Sequence, residues 1–161
     1  MKEPTKNALN MPINKNVGIP KCHWKRLSHQ KRLGQWKEDY ASLSKASHTK
    51  KFFPTAKCRL ERNSFFCSFK VNQFLTGHGN FEEYLKRFHR QTSDVCDCSA
   101  KEIQNVEHII FRCLHVQDCR KILQQKLGVP ENDWPVVLIS LINTKPSFLY
   151  FTEFVHTCNY K

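Results

Sequence analysis

Four residues in this chain have the types and the spacing to hold a metal ion: Cys96, Cys98, His108 and Cys113. They read C-x-C-x9-H-x4-C. Zinc takes four tetrahedral ligands, and three thiolates with one imidazole form a common structural set. Such a set leaves no open position for a catalytic water, so its role would be to brace the chain. The spacing also sets a local condition. On an ideal helix, five residues at about 100° each leave His108 and Cys113 about 140° apart. The last turn must therefore tighten, or end before Cys113, if both are to reach one ion. The competing fate for the thiols is burial as small hydrophobes. Against it, Cys96 and Cys98 stand in the polar stretch Ser93-Asp94-Val95-Cys96-Asp97-Cys98-Ser99. His115 and Cys119, four apart on an expected helix, could replace a ligand and rank below His108 and Cys113.

The surrounding elements are expected to be helical, giving a mainly α, small helical domain with a zinc-knuckle-like clip. Residues 1–20 hold three prolines and no clear period, and are expected to be a poorly ordered lead-in. Residues 21–92 form a basic, aromatic helical region. Within it, Trp24, Leu27, Trp36, Tyr40 and Leu43 make an apolar stripe over about residues 22–45, which Gly34 could interrupt. Residues 48–54 read as a loop, and a short strand pair is possible around residues 57–60. A buried helix is expected over 63–76, with strand as the alternative given its near-continuous apolarity, broken by Gly77-His78-Gly79. Asn80 and Glu83 then resemble a capping box for a helix carrying Phe81, Tyr84, Leu85 and Phe88 on one face. Ser99 and Glu102 repeat that signal ahead of Ile103, Val106 and Ile110. Residues 93–127 thus comprise the Cys/His segment and a following helix over 115–127, stopped by Gly128 and Pro130. Residues 128–161 form a C-terminal helical tail with apolar stretches at 136–142 and 148–155.

The charge is uneven. The chain carries a net +12. Residues 1–70 hold sixteen Lys and Arg against four acids, and residues 71–161 hold ten of each sign. That asymmetry points to a polyanion, nucleic acid first of all. The expected contacts are Lys25, Arg26, Lys31, Arg32, Lys37, Lys50 and Lys51. Trp24, Trp36 and Tyr40 could stack on bases, but their helical spacing favours core packing. Residues 1–16 are mostly polar and lack a secretory h-region. The most apolar stretch, 134–155, is cut by Asn143, Thr144, Lys145 and Pro146. Nucleus or cytoplasm is therefore the expected compartment, where the eight cysteines would stay reduced.

The run Phe74-Leu75-Thr76-Gly77-His78-Gly79, then Phe81, Tyr84-Leu85 and Phe88, leads on to Cys96-x-Cys98, Glu107-His108 and Cys113. It resembles the C-terminal region of jockey-like non-LTR retrotransposon polyproteins. Arg120 matches an arginine of the following helix. Residues 6–13, Trp36 and Phe53-Pro54 have weaker counterparts in the segment after the RNase H domain. The resemblance implies zinc on Cys96, Cys98, His108 and Cys113, and a role in holding template RNA or target DNA. The parent proteins carry a reverse transcriptase, but this chain has no Tyr-x-Asp-Asp, and its first 70 residues hold only scattered acids. It is therefore expected to be a non-catalytic fragment.

Two other readings stand beside this one. A zinc-stabilised protein-interaction module would show an exposed apolar groove. A cysteine-dependent enzyme would use Cys67, or Cys158 with His156, although no local motif supports it. His78 between glycines reads as part of a turn.

Overall fold

The computed structural model describes residues 18–62, 65 and 67–160. The expected lead-in up to residue 17, and with it the residue 6–13 counterpart, lies outside the described residues. So do Asn63, Ser64 and Phe66 of the expected 63–76 helix. The chain divides into two units, residues 1–38 and 39–161. Described elements are helical, and no helix among them is long and apolar enough to cross a membrane.

Helix α1, Lys21–Ser42, begins in the first unit and runs unbroken through Gly34. None of its side chains is buried, and Trp24 is 55% exposed. The expected core stripe is thus not a buried face. Lys25, Arg26, Lys31, Arg32 and Lys37 interrupt the apolar positions too often for one clean face to form.

In the second unit, the expected loop after residue 47 is instead helix α2, Ser47–Phe52. Phe52 drives it, since its ring is fully buried against Phe151. Burying a Phe stabilises by about 1.5–3 kcal/mol, enough to override weak local propensity. The suggested strand pair is likewise a helix, α3, Ala56–Glu61, because the Thr55 hydroxyl accepts from Cys58 N–H at 3.2 Å. Helix α4, Phe69–Thr76, is capped by Ser68 and ends at Gly77 with φ +73°. A Cβ at Gly77 would also meet the His48 ring at 3.0 Å.

Helix α5, Glu82–Arg87, follows, but Asn80 does not cap it. Phe81 holds the cap position, and its fully buried ring packs on Phe74 and Tyr160. Helix α6, Gln117–Leu127, ends at Gly128 with φ +66°, as its Gly-Val-Pro sequence suggests. Helix α7, Lys145–Thr157, starts from a Thr144 cap with proline in its first turn. It packs on α4, on α6 and on the short turn Leu138–Ile142. Phe52, Phe74, Phe81, Phe151 and Tyr160 thereby form one aromatic core.

Candidate metal centre

The cysteine segment folds as a tight clip. Val95 and Ile103 pair as an antiparallel bridge. Cys96 N–H donates to Glu102 O at 2.8 Å and Gln104 N–H to Asp94 O at 2.7 Å. Between them, Lys101 N–H reaches Cys98 O at 3.0 Å, with Lys101 at φ +50°. The expected helix start at Ser99 and Glu102 is therefore absent. Helix begins at Val106, where the Asn105 side chain accepts from His108 N–H at 2.9 Å.

The turn His108–Arg112 resolves the spacing problem by widening. Cys113 N–H bonds to His108 O at 2.7 Å, an i→i+5 closure of the π-helical kind. Such a turn holds more than four residues, so five residues return to nearly the same face. The chain then leaves the helix at Cys113. Of the two expected solutions, ending before Cys113 occurs, while the turn itself loosens instead of tightening. Ile109, Ile110 and Phe111 remain buried in the core while His108 and Cys113 turn to the clip.

Cys96, Cys98, His108 and Cys113 are all buried, and their ligand atoms lie within 4.8 Å of one another. Cys96 Sγ is 3.8 Å from Cys113 Sγ, and Cys98 Sγ is 3.4 Å from His108 Nε2. Tetrahedral zinc, with bonds of about 2.3 Å to sulfur and 2.0 Å to nitrogen, implies separations of about 3.8 and 3.5 Å. The four residues fit an ion of that size. His115 is exposed, and neither it nor Cys119 belongs to the group.

The surroundings fit as well. His108 Nδ1 lies 3.1 Å from a Glu102 carboxylate oxygen, which also accepts from Arg112 Nε at 2.5 Å. This leaves Nε2 free to face the sulfurs, the carboxylate–histidine arrangement of metal sites. These two partners hold the Glu102 carboxyl below its ordinary value, Arg112 more strongly than His108. Burial works to raise the Cys98 thiol, but N–H groups of Leu114 and Ala100 and the neighbouring thiols bring it below the usual cysteine value. Burial pushes Cys113 up to about 12, with Cys96 and Cys98 adding to the rise. Three thiols this close repel one another once ionised, so a cation among them is what would let all three act as thiolates.

Two further residues support the site: Gln104, which no motif marks, and Arg120, which the resemblance marks without giving it a role. Gln104 is buried and joins three elements. Its Nε2 donates to Cys96 Sγ at 3.5 Å and Tyr160 O at 3.1 Å, and its Oε1 accepts from Glu82 N–H at 3.2 Å. Its carbonyl also accepts from Glu83 N–H, so Gln104 does the capping expected of Asn80. Arg120 is 8% exposed. It donates to Ile110 O at 2.9 Å and to Cys113 O, with no carboxylate at ion-pair distance among the described residues. Burial disfavours its charge, and Cys113 and Cys98 offset that. A divalent ion with three thiolates and a neutral imidazole carries one net negative charge, which a buried arginine would balance.

Of the basic residues singled out in the sequence, Lys25, Arg26, Lys31, Arg32 and Lys37 are exposed on α1. Lys50 instead donates to Ala41 O at 3.0 Å and Leu43 O at 2.6 Å, and Lys51 is paired with Glu107. The two thiols considered as nucleophiles, Cys67 and Cys158, are both held in the protonated form. Burial raises Cys67, and raises Cys158 to about 11. His156 turns away from Cys158 to Ser68, at 3.0 Å.

No protein-family model and no solved structure matches the chain. Over 106 residues, 66% of the chain, it is 24% identical to the retrovirus-related Pol polyprotein from type-1 retrotransposable element R1 of Bradysia coprophila. This chain is similar to a retrotransposon Pol polyprotein. The aligned part spans 10% of that protein's length. The likeness supports a retrotransposon origin.

Proposed function

We propose that this chain is the non-catalytic C-terminal portion of a jockey-like non-LTR retrotransposon reverse-transcriptase polyprotein. Zinc on Cys96, Cys98, His108 and Cys113 braces residues 93–127, and the basic region, 21–92, binds template RNA or target DNA. The tetrahedron-sized grouping of those four buried ligand atoms carries the reading. It stands on a chain similar to a Pol polyprotein. The exposed cations of α1 supply the attraction to phosphate. Polymerase and RNase H chemistry would belong to the rest of the polyprotein, because two-metal phosphoryl transfer needs convergent carboxylates.

Elemental analysis of gently purified protein tests the first part. One zinc per chain is expected, reduced to none by Cys113→Ser together with a lower melting temperature. Protein that comes metal-free and takes up no added zinc would remove the reading. Magnesium-dependent cleavage of an RNA–DNA hybrid, abolished by changing one acid of this chain, would remove its non-catalytic part.

A further inference from the structure

Beyond the basic helix, the second unit carries a surface of another kind. His78, Tyr84 and Phe88 form a ladder of rings, with centroids 5.1 and 4.8 Å apart along the series. The helical spacing of Tyr84 and Phe88 suggests packing, yet Phe88 is 53% exposed, and His78 is exposed too. The backbone turns sharply after Phe88. His89 takes φ +55°, and Arg90 N–H folds back to Leu85 O at 2.9 Å. Arg87 lies 5.9 Å from the Phe88 ring centroid. Beside the ladder is a cleft of about 410 Å³ whose lining includes Lys45, His48, His78, Glu83, Tyr84 and Arg87. That volume lies within the range of small-ligand sites.

Two features decide the occupant. The rings pack on one another, and the exposed ones at the two ends of the series, His78 and Phe88, offer surface on which unpaired bases stack, which a duplex, with its bases already stacked inward, cannot use. Lys45, Arg87 and Arg90 are exposed cations, whereas Lys86 is held by Asp94 at 2.9 Å. Glu83 is the acid in the cleft lining. Its carboxylate would accept from base amino groups and repel phosphate, so the backbone would run along the arginine side.

We infer that His78, Tyr84 and Phe88, with Lys45, Arg87 and Arg90, form a stacking platform for a single strand of nucleic acid. The inference rests on the nucleic-acid reading above and assigns the single strand to residues other than the α1 cations. Stacking of this kind ignores the sugar, so RNA and DNA strands share the chemistry.

The test uses the full chain and fluorescein-labelled 12-mers, rU and dT, with a DNA duplex as comparison, read by anisotropy. Phe88→Ser, at an exposed position, is expected to weaken binding of single strands about tenfold and leave duplex binding unchanged. Phe88→Trp keeps the ring and should bind like the parent. The rU and dT arms separate RNA from DNA. A Phe88→Ser protein that binds single strands like the parent overturns the platform, as does an equal loss on duplex. The two readings separate through a Lys25, Arg26, Lys31 and Arg32 to Gln variant. If that variant alone weakens binding, the platform fails and the basic helix stands. If Phe88→Ser alone does, the platform stands without α1. If the parent binds neither strand nor duplex, both readings fall.

Discussion

Arg120 shows how much of the candidate centre rests on residues that bear no ligand atom. Its guanidinium is buried beside Cys113 and donates to two core carbonyls. Replacing it by Leu leaves both acceptors without that donor and removes the positive charge facing the thiolates. Breaking a buried charged interaction typically costs about 3–5 kcal/mol. Arg120→Leu is expected to unfold at markedly lower urea and to yield zinc to a chelator sooner than the parent. Arg120→Lys should fall between, because one ammonium cannot reproduce the forked donor. Equal chelator competition for all three proteins would show that the arginine serves the core alone. That Cys96, Cys98, His108 and Cys113 would come together was legible because Cys and His at short spacing are rare and chemically specific. Glu102, Gln104 and Arg120 were not legible in these roles, since their contribution depends on which backbone groups the fold brings to them.

Among the elements, helix ends marked by Gly77 and Gly128 were readable, because glycine takes the positive φ that closes a helix. Helices α2 and α3 were missed, as short segments held mainly by Phe52 docking and a Thr55 cap have too few turns to show a period. The clip was misread as a helix start for a related reason. Ser99 and Glu102 carry a capping pattern, but Glu102 is engaged by His108 and Arg112. Helix α2 has a pH dependence of its own. His48 holds it to α4 through a 2.8 Å contact between Nε2 and Phe74 O. Burial keeps His48 below its ordinary value of 6.5, helped by Lys51 and opposed by Phe74 O, Glu107 and Glu83. The unfolded chain therefore takes up this proton first as pH falls. The contribution of neutral His48 is complete above the unfolded value and is lost as pH drops below 6.5 toward the folded one. Urea titrations of zinc-supplied protein between pH 7.5 and 5.5 should show the parent losing more stability than His48→Asn. Parallel losses would assign the acid sensitivity elsewhere.

At the scale of the whole molecule, the basic half is expected to set affinity. If α1 and its neighbours neutralise about five phosphates, log affinity for duplex falls with log salt at a slope near −4.5. Between 50 and 200 mM salt that is roughly a 500-fold loss. The Lys25, Arg26, Lys31 and Arg32 to Gln variant should flatten the slope without changing the far-UV circular dichroism. An unchanged slope would favour the protein-interaction module. Metal removal should act through the other half. Because Gln104 ties Cys96 to Glu82 N–H and Tyr160 O, chelation is expected to speed hydrogen exchange in α5 and near residue 160 as well as in 94–127. Loosening confined to 94–127 would show that Gln104 does not transmit it. The wide turn at His108–Arg112 has a further, genetic meaning. It is an α-turn with one codon more, and an in-frame loss of that codon would turn H-x4-C into H-x3-C. Both spacings bring the two ligands to one side of a helix, so the metal centre would tolerate either reading frame length. The core would not, because Ile109, Ile110 and Phe111 all occupy it, and selection on that codon would act through packing while the ligands stayed in place.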